Sequence, residues 1–234
     1  VRDFVAEDFR FSFKDSTNFE GDIKMTGLPN FFETHILADI KELNFTYQDI
    51  TQLAIPTPTS KVPLPEMLSA LKQAKLSAHY EGYPNNFTTK FKLNTNLGDI
   101  NVDCNLNHDL LSLSKPHYYA KISTDSLNVK DLLKFDDDAV ITMSADLHGA
   151  GFTKNDADID LDIDIQHLHV LENDFNDIKI LGDFENEKFA LSTNIQSEVL
   201  RTELNALANL TADVPEFDII ADVKNADLQA LGLM

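Results

Sequence analysis

The chain is short of basic residues, cysteine and long apolar runs, and each shortage excludes a class of protein. Lys and Arg number 19 against 39 Asp and Glu in 234 residues, so the formal net charge is −20. Nucleic-acid binders that neutralise phosphates, and polybasic membrane-surface anchors, need the opposite sign. Cys104 is the single cysteine, so no intrachain disulfide is possible. No stretch approaches the roughly 18 apolar residues of a transmembrane helix.

Catalytic signatures are also missing. The sequence has no Gly-rich phosphate loop, no GxSxG nucleophile elbow and no HExxH zinc motif. Carboxylates are so numerous that no pair stands out as a general acid and a general base. We therefore expect a protein that is not an enzyme and that needs no cofactor or resident metal.

The acidic residues that are present favour strands and turns. The chain has 27 Asp and 19 Asn but only 12 Glu. Asp and Asn disfavour helix interiors and suit turns, whereas Glu suits helices. With 43% apolar and 25% charged residues the composition is that of a folded protein. We expect an all-β protein with strands joined by Asp/Asn turns.

Alternation of apolar and polar residues dominates the chain and predicts at least ten strands. Residues 87–97 alternate, and after a turn at Leu97-Gly98-Asp99 the pattern resumes over 100–106. This predicts an antiparallel hairpin. The clearest strand runs from 157 to about 169, with Ile and Leu on one side and Asp on the other.

Two helices and an internal repeat complete the organisation. Proline-rich segments flank a linker and a short amphipathic helix, and a second brief helix is expected near Val129–Leu133. Phe91–Leu97 matches Phe189–Ile195 at an offset of 98, and Gly82 and Gly182 precede the two matching strands. We therefore divide the chain into a first β segment (1–58), a linker with a short helix (59–75), repeat unit one (76–135) and repeat unit two (136–234).

Six short phrases follow one another along most of the chain, from about residue 4 to the end. They are Pro63–Lys75, Leu76–Gly82, Phe91–Ile100, Ser126–Leu133, Leu147–Gly151 and Ala226–Gly232. In this order they resemble the TamB branch of the AsmA-like superfamily, in the form found in Bacteroidetes. None of them is an invariant catalytic signature.

The resemblance implies a fold, a location and partners. The fold would be an elongated, curved antiparallel sheet that forms one continuous taco-like groove with an apolar interior. The chain would be an internal piece, without the anchor, of the periplasmic region of an inner-membrane-anchored envelope protein. Members of the family are linked to phospholipid transport between the two membranes, outer-membrane biogenesis and protein secretion. The implied partners are phospholipid acyl chains and outer-membrane barrel proteins or an outer-membrane assembly partner.

The apolar side of the strands is the candidate binding site. An antiparallel sheet with one apolar face must cover that face with a second sheet, helices or a ligand, and helices are few here. At about 0.8 kcal/mol per buried methylene, a 16-carbon tail gains on the order of 12 kcal/mol before ordering costs. A dry β-sandwich core would show the same alternation, so that alternative stays open. The predicted lipid-binding groove contains Phe87, Phe91, Leu93, Ile100, Val102, Ile159, Leu161, Ile163, Ile165, Phe189, Leu191 and Phe217.

Three other features have ordinary interpretations. The aspartates at every second position of 156–164 lie along one strand face and predict a solvated surface rather than a calcium loop. His167 and His169 share a strand face but lack a third metal ligand. Cys104 alternates in phase with Ile100, so we expect an inward apolar residue rather than a nucleophile.

Two other functions remain as alternatives. The sheet edge could pair with strands of client outer-membrane proteins as a chaperone or scaffold. An extracellular β-sandwich adhesin would instead require an isolated, closed core.

Overall fold

A computed structural model of the chain describes residues 2–13, 17–52, 69–108, 115–133, 137–153, 155–211 and 214–231. Within these ranges, thirteen strands and two short α-helices are present. The strands are β1 (Arg2–Phe13), β2 (Thr17–Leu28), β3 (His35–Phe45), β4 (Ala74–Tyr83), β5 (Asn86–Thr95), β6 (Gly98–Asn107), β7 (His117–Asn128), β8 (Ala139–Ala150), β9 (Asp158–Val170), β10 (Asn173–Glu185), β11 (Lys188–Gln196), β12 (Leu200–Asn209) and β13 (Glu216–Ala226). The helices are α1 (Tyr47–Gln52) and α2 (Lys130–Leu133), and a 3-10 turn spans Phe31–Glu33.

The described strands form one sheet in which each strand pairs with its neighbours in sequence. Its order is β1 to β13 without a crossover, every pairing is antiparallel, and the sheet is curved and unclosed. Twelve spacings at about 4.8 Å give a width of roughly 58 Å. The prediction of an all-β, elongated, curved antiparallel sheet is confirmed.

Local sequence explains the tight hairpins. The predicted β5–β6 hairpin is confirmed, but its turn is Asn96-Leu97 rather than Leu97–Asp99, since Gly98 and Asp99 already pair in β6. The β9–β10 and β10–β11 hairpins also have two-residue turns, Leu171-Glu172 and Asn186-Glu187, with φ between +52° and +58°. Two consecutive residues of positive φ match the right-handed twist of the strands that they join.

The two predicted helices have different outcomes. The brief helix near Val129–Leu133 is confirmed as α2. The short amphipathic helix was expected over Pro63–Lys75, and most of that segment lies outside the described residues. Its expected end is wrong, because Ala74 and Lys75 open β4. Ala74 is only 2% exposed and pairs with Phe45 and with Thr95, so sheet pairing prevails over helix there. No helix in the described ranges is long and apolar enough to cross a bilayer.

The phrases of the internal repeat lie in corresponding strands six apart. Gly82 and Gly182 lie in β4 and β10, and the matching Phe-x-Leu-x-Thr phrases lie in β5 and β11. At the ends of β7 and β13, Asn128 and Asp227 accept the backbone N–H of the residue two positions later, each at 3.1 Å. The same side-chain turn therefore ends the strand in both places.

Candidate functional site: an uncharged sheet face

One face of the sheet carries no charged side chain along four adjacent rows that run across all thirteen strands. Directly opposed residues of antiparallel strands point to the same face, so the register traces each row. The third of these rows is Phe9, Gly21, Ile40, Ala78, Phe91, Val102, Ile122, Ala145, Ile163, Ile180, Thr193, Leu204 and Ala221. We call the surface formed by the four rows the apolar face.

All twelve residues predicted for the groove lie on the apolar face. They are distributed over the four rows as Phe87, Ile159, Phe189 and Phe217 in the first, Leu161 and Leu191 in the second, Phe91, Val102 and Ile163 in the third, and Leu93, Ile100 and Ile165 in the fourth. The structure thus brings residues from β5, β6, β9, β11 and β13 onto one surface. That they bind lipid stays a prediction.

Burial of the apolar face falls towards the edges of the sheet. Ile165 is only 7% exposed, whereas Phe217 in β13 and Phe4 in β1 are 68% and 48% exposed. The described chain contains a single sheet, so no second sheet covers this face in those ranges. The face is therefore exposed at the two edges of the sheet and half-buried or buried between them.

Sequence reasoning missed an aromatic group in the middle of the first row, where Tyr118 of β7 pairs with Gly149 of β8. The ring of Tyr118 lies over Gly149 and stacks on Phe152, with centroids 5.5 Å apart and an interplanar angle of 13°. A Cβ at position 149 would lie within 2.2–2.7 Å of the Tyr118 ring. Gly149 belongs to the Leu147–Gly151 phrase of the sequence. Its contact with Tyr118 depends on the pairing of β7 with β8, which local sequence patterns do not reveal.

The few titratable groups on the apolar face are held in their neutral forms. Burial raises the pKa of the Tyr80 and Tyr118 hydroxyls, with Asp156 and Asp158 contributing at Tyr118. Burial, with the nearby Asp103 carboxylate, also raises the pKa of the Cys104 thiol. Cys104 lies on the apolar face, as the alternation predicts, and a raised pKa disfavours the thiolate that a nucleophile needs.

Two threonine hydroxyls are polar exceptions on the apolar face. Thr193 and Thr202 have buried Oγ1 atoms with no hydrogen-bond partner among the described residues. Thr124, in the same row as Thr202, instead donates to the carbonyl of Ile141 at 3.3 Å and accepts from the N–H of Met143 at 3.2 Å. A buried hydroxyl without a partner costs free energy.

The opposite face is polar and its charges pair across strands. Lys90 contacts Asp103 at 2.7 Å, and Lys121 contacts Asp146 at 3.4 Å. The Lys121 ammonium and the Tyr119 hydroxyl hold the pKa of Asp146 below its usual value, the hydroxyl contributing most. An open depression of about 560 Å³ lies on this face beside Lys90 and Lys121. Its charged lining suits water and ions rather than hydrocarbon.

Asp162 and the two histidines of the metal hypotheses make polar contacts with neighbouring side chains. Asp158, Asp160, Asp162 and Asp164 project from β9 on the polar face, where Asp162 contacts Lys179 at 3.3 Å. His167 and His169 make short contacts with Asn176, at 3.0 Å, and Asp174, at 2.8 Å. Over the described ranges, no group of three or more His, Cys, Asp or Glu side chains is placed to hold a metal ion.

The edge strand β13 exposes large apolar side chains on both faces, although its polar face also carries Glu216, Asp218 and Asp222. Phe217, Ile219 and Val223 are 68%, 62% and 55% exposed on the apolar face, and Ile220 is 65% exposed on the polar face. Leu181 and Leu207 extend this apolar character on the polar face of β10 and β12, at 47% and 57% exposed. An edge of this composition is suited to accept another strand.

The chain matches no protein-family model, no curated protein and no solved structure. What the apolar face binds must therefore be inferred from its own residues. Its four rows offer hydrocarbon, aromatic rings and a few small polar groups. Such a surface can bind an apolar chain through burial alone.

Proposed function

We propose that this chain is a non-enzymatic segment of a lipid-conducting β groove, in which the apolar face holds phospholipid acyl chains. The observation that carries the proposal is the continuity of the uncharged rows across thirteen strands without a second sheet over them in the described part of the chain. Each methylene moved from water onto such a surface gains about 0.8 kcal/mol. Because the rows are similar from strand to strand, a bound chain meets no single deep trap.

The resemblance to the TamB branch of the AsmA-like superfamily supports the biological setting. On that basis the segment belongs to the periplasmic region of an inner-membrane-anchored envelope protein. It serves phospholipid transport between the inner and outer membranes and outer-membrane biogenesis. The acidic residues keep its polar face solvated while the opposite face carries lipid.

Mass spectrometry of lipid extracted from the purified protein tests this proposal. We expect co-purifying phospholipid, and we expect less of it in Leu161→Asp, which adds a charge to the middle of the apolar face. Ser192→Asp, on the polar face of β11, is the matched control and should retain the lipid of the parent protein. A folded parent protein that contains no lipid and takes none up from vesicles would contradict the proposal.

A second candidate function is that of a β-edge scaffold for the assembly of outer-membrane barrel proteins. The exposed apolar side chains on both faces of β13, Ile219 and Ile220 among them, favour it. Photo-crosslinkers placed along β13 would then capture client strands, whereas crosslinkers in the centre of the sheet would not. Capture of lipid but no client strand would favour the lipid groove alone.

A further inference from the structure

The ends of the strands form two rims of the sheet, and the connections that follow the strands differ between the two rims. One rim, the capped rim, carries α1, α2 and the turn at 228–231, each of which follows the end of a strand. The two hydrophobic clusters of the described chain lie towards this rim. One takes in Leu71 and Leu132 from the connections, and the other takes in Val199 and Leu231. Side chains from outside the strands therefore cover the apolar face along the capped rim from β6 to β12.

The opposite rim, the open rim, ends in turns that expose large apolar side chains. At the capped rim, over the same described ranges, Leu171 and Leu228 are 43% and 40% exposed. At the open rim five large apolar side chains are 41–75% exposed, and three of them are aromatic. They are Phe32, Tyr83, Phe152, Leu210 and Val214.

Phe152 connects the open rim to the apolar face. It is 63% exposed, yet one side of its ring stacks on Tyr118 of the first row. The Tyr118 hydroxyl donates to the carbonyl of Gly151 at 3.0 Å, which holds the Tyr118 ring in place. Phe152 thus connects the solvent at this rim to Tyr118 in the first row of the apolar face.

We propose that acyl chains reach the apolar face across the open rim, over Phe152 and Tyr118, while the lipid headgroup stays outside that rim. This inference rests on the proposed lipid function. A headgroup that crossed the apolar face would lose its hydration without compensation, so it must remain at a rim. The capped rim is already covered by Leu132 and Leu231, whereas the open rim offers aromatic side chains, which suit a boundary between water and hydrocarbon.

The occupant is a single phospholipid molecule rather than a bilayer surface. A chain of net charge −20 lacks the basic patch that holds proteins on anionic bilayers. The apolar surface also extends from Phe152 across the whole length of the strands, well beyond the shallow patch that a surface-bound protein presents to a membrane.

Single tryptophans test the route, because the chain contains none of its own. We would introduce Phe152→Trp at the open rim, Leu161→Trp in the middle of the face and Val199→Trp at the capped rim. Each variant is loaded from phosphatidylcholine vesicles brominated in the acyl chains, and its fluorescence is read before and after gel filtration removes the vesicles. Leu228→Trp replaces Val199→Trp if the latter does not fold, because Leu228 is 40% exposed and tolerates a larger side chain.

Bromine quenches tryptophan fluorescence only at close range, so the pattern of quenching shows which rim the acyl chains cross. We expect loss of fluorescence at positions 152 and 161 and little loss at the capped rim. Equal or stronger quenching at the capped rim, or quenching at 152 that disappears once the vesicles are removed, would overturn this inference and leave the lipid function standing. No quenching at 161 in a folded, loaded sample would overturn the lipid function itself.

Discussion

Gly149 shows how one missing side chain shapes the apolar face. Because a Cβ there would lie within 2.2–2.7 Å of the Tyr118 ring, Gly149→Ala must displace that ring and weaken its stack on Phe152. We expect a loss of about 1–3 kcal/mol in the free energy of unfolding, the usual cost of overpacking. Urea denaturation followed by circular dichroism measures it.

Gly182→Ala is the matched control for this prediction. Its Cβ would meet no atom closer than 3.5 Å, the side chain of Leu161. Because alanine also costs less conformational entropy than glycine in a strand, we expect no loss and a gain of up to about 0.5–1 kcal/mol. Equal destabilisation by the two substitutions would contradict the role assigned to the space under Tyr118.

The hydroxyl of Thr202 predicts a stabilising substitution. Thr202 is 6% exposed, and its Oγ1 has no hydrogen-bond partner within the described ranges. Thr202→Val keeps the shape of the side chain and removes the unpaired hydroxyl, so we expect a gain of about 1 kcal/mol in the free energy of unfolding. The same denaturation experiment gives the value.

Thr124 lies in the fourth row of the apolar face, as Thr202 does, and is the matched comparison for it. It is equally buried, at 6% exposed, but its hydroxyl bonds to the backbone of Ile141 and Met143. Thr124→Val should therefore lose about 1 kcal/mol. If both valine substitutions change stability in the same direction, the hydrogen-bonding difference between the two threonines does not decide the outcome.

At the scale of elements, the two edge strands are protected to different degrees. β1 has a register shift between Ala6 and Phe9, and Asp8 in this bulge contacts Lys41 at 3.0 Å. Bulges and charges are the usual defences of an edge strand. In β13 the pairing with β12 is regular from Glu216 to Val223, and its register shift, beside Lys224, lies only at the end of the strand. We therefore expect unwanted strand pairing to begin at β13.

This asymmetry predicts concentration-dependent association through β13. Ile220→Lys places a charge on the polar face of β13 and should reduce the association of the purified chain, as measured by sedimentation velocity. Val5→Lys is the matched control on β1, because Val5 is 54% and Ile220 65% exposed. Equal effects of the two lysines, or a parent chain that stays monomeric at every concentration, would contradict the prediction.

Elements also show where local sequence patterns succeed and where they fail. Alternation correctly predicts the shared face in β5, β6, β9, β11 and β13, because side-chain direction has a period of two within a strand. It fails in β10, where Phe175 and Ile178 are both buried in one cluster although they are three residues apart. Asp177, with φ +55°, forms an irregularity that shifts the phase between them.

At the scale of the whole molecule, the fold class was predictable and the closure of its rims was not. The balance of Asp and Asn over Glu, with the alternation, predicted a long antiparallel sheet with an apolar face. The stack of Phe152 on Tyr118 and the packing of Leu231 against the β9–β10 cluster join residues more than thirty positions apart. Such contacts follow from the order and register of the strands, and the internal repeat indicated only part of that order and register.

The central claim concerns the whole apolar face: it binds acyl chains and the opposite face does not. The most direct test loads the purified protein with a phospholipid that carries a photoactivatable group in its acyl chain and maps the adducts by peptide mass spectrometry after illumination. We predict adducts on residues of the four apolar rows, such as Phe91, Leu161 and Ile180, across several strands. Adducts spread equally over the two faces, or no adducts in a folded protein, would contradict the claim.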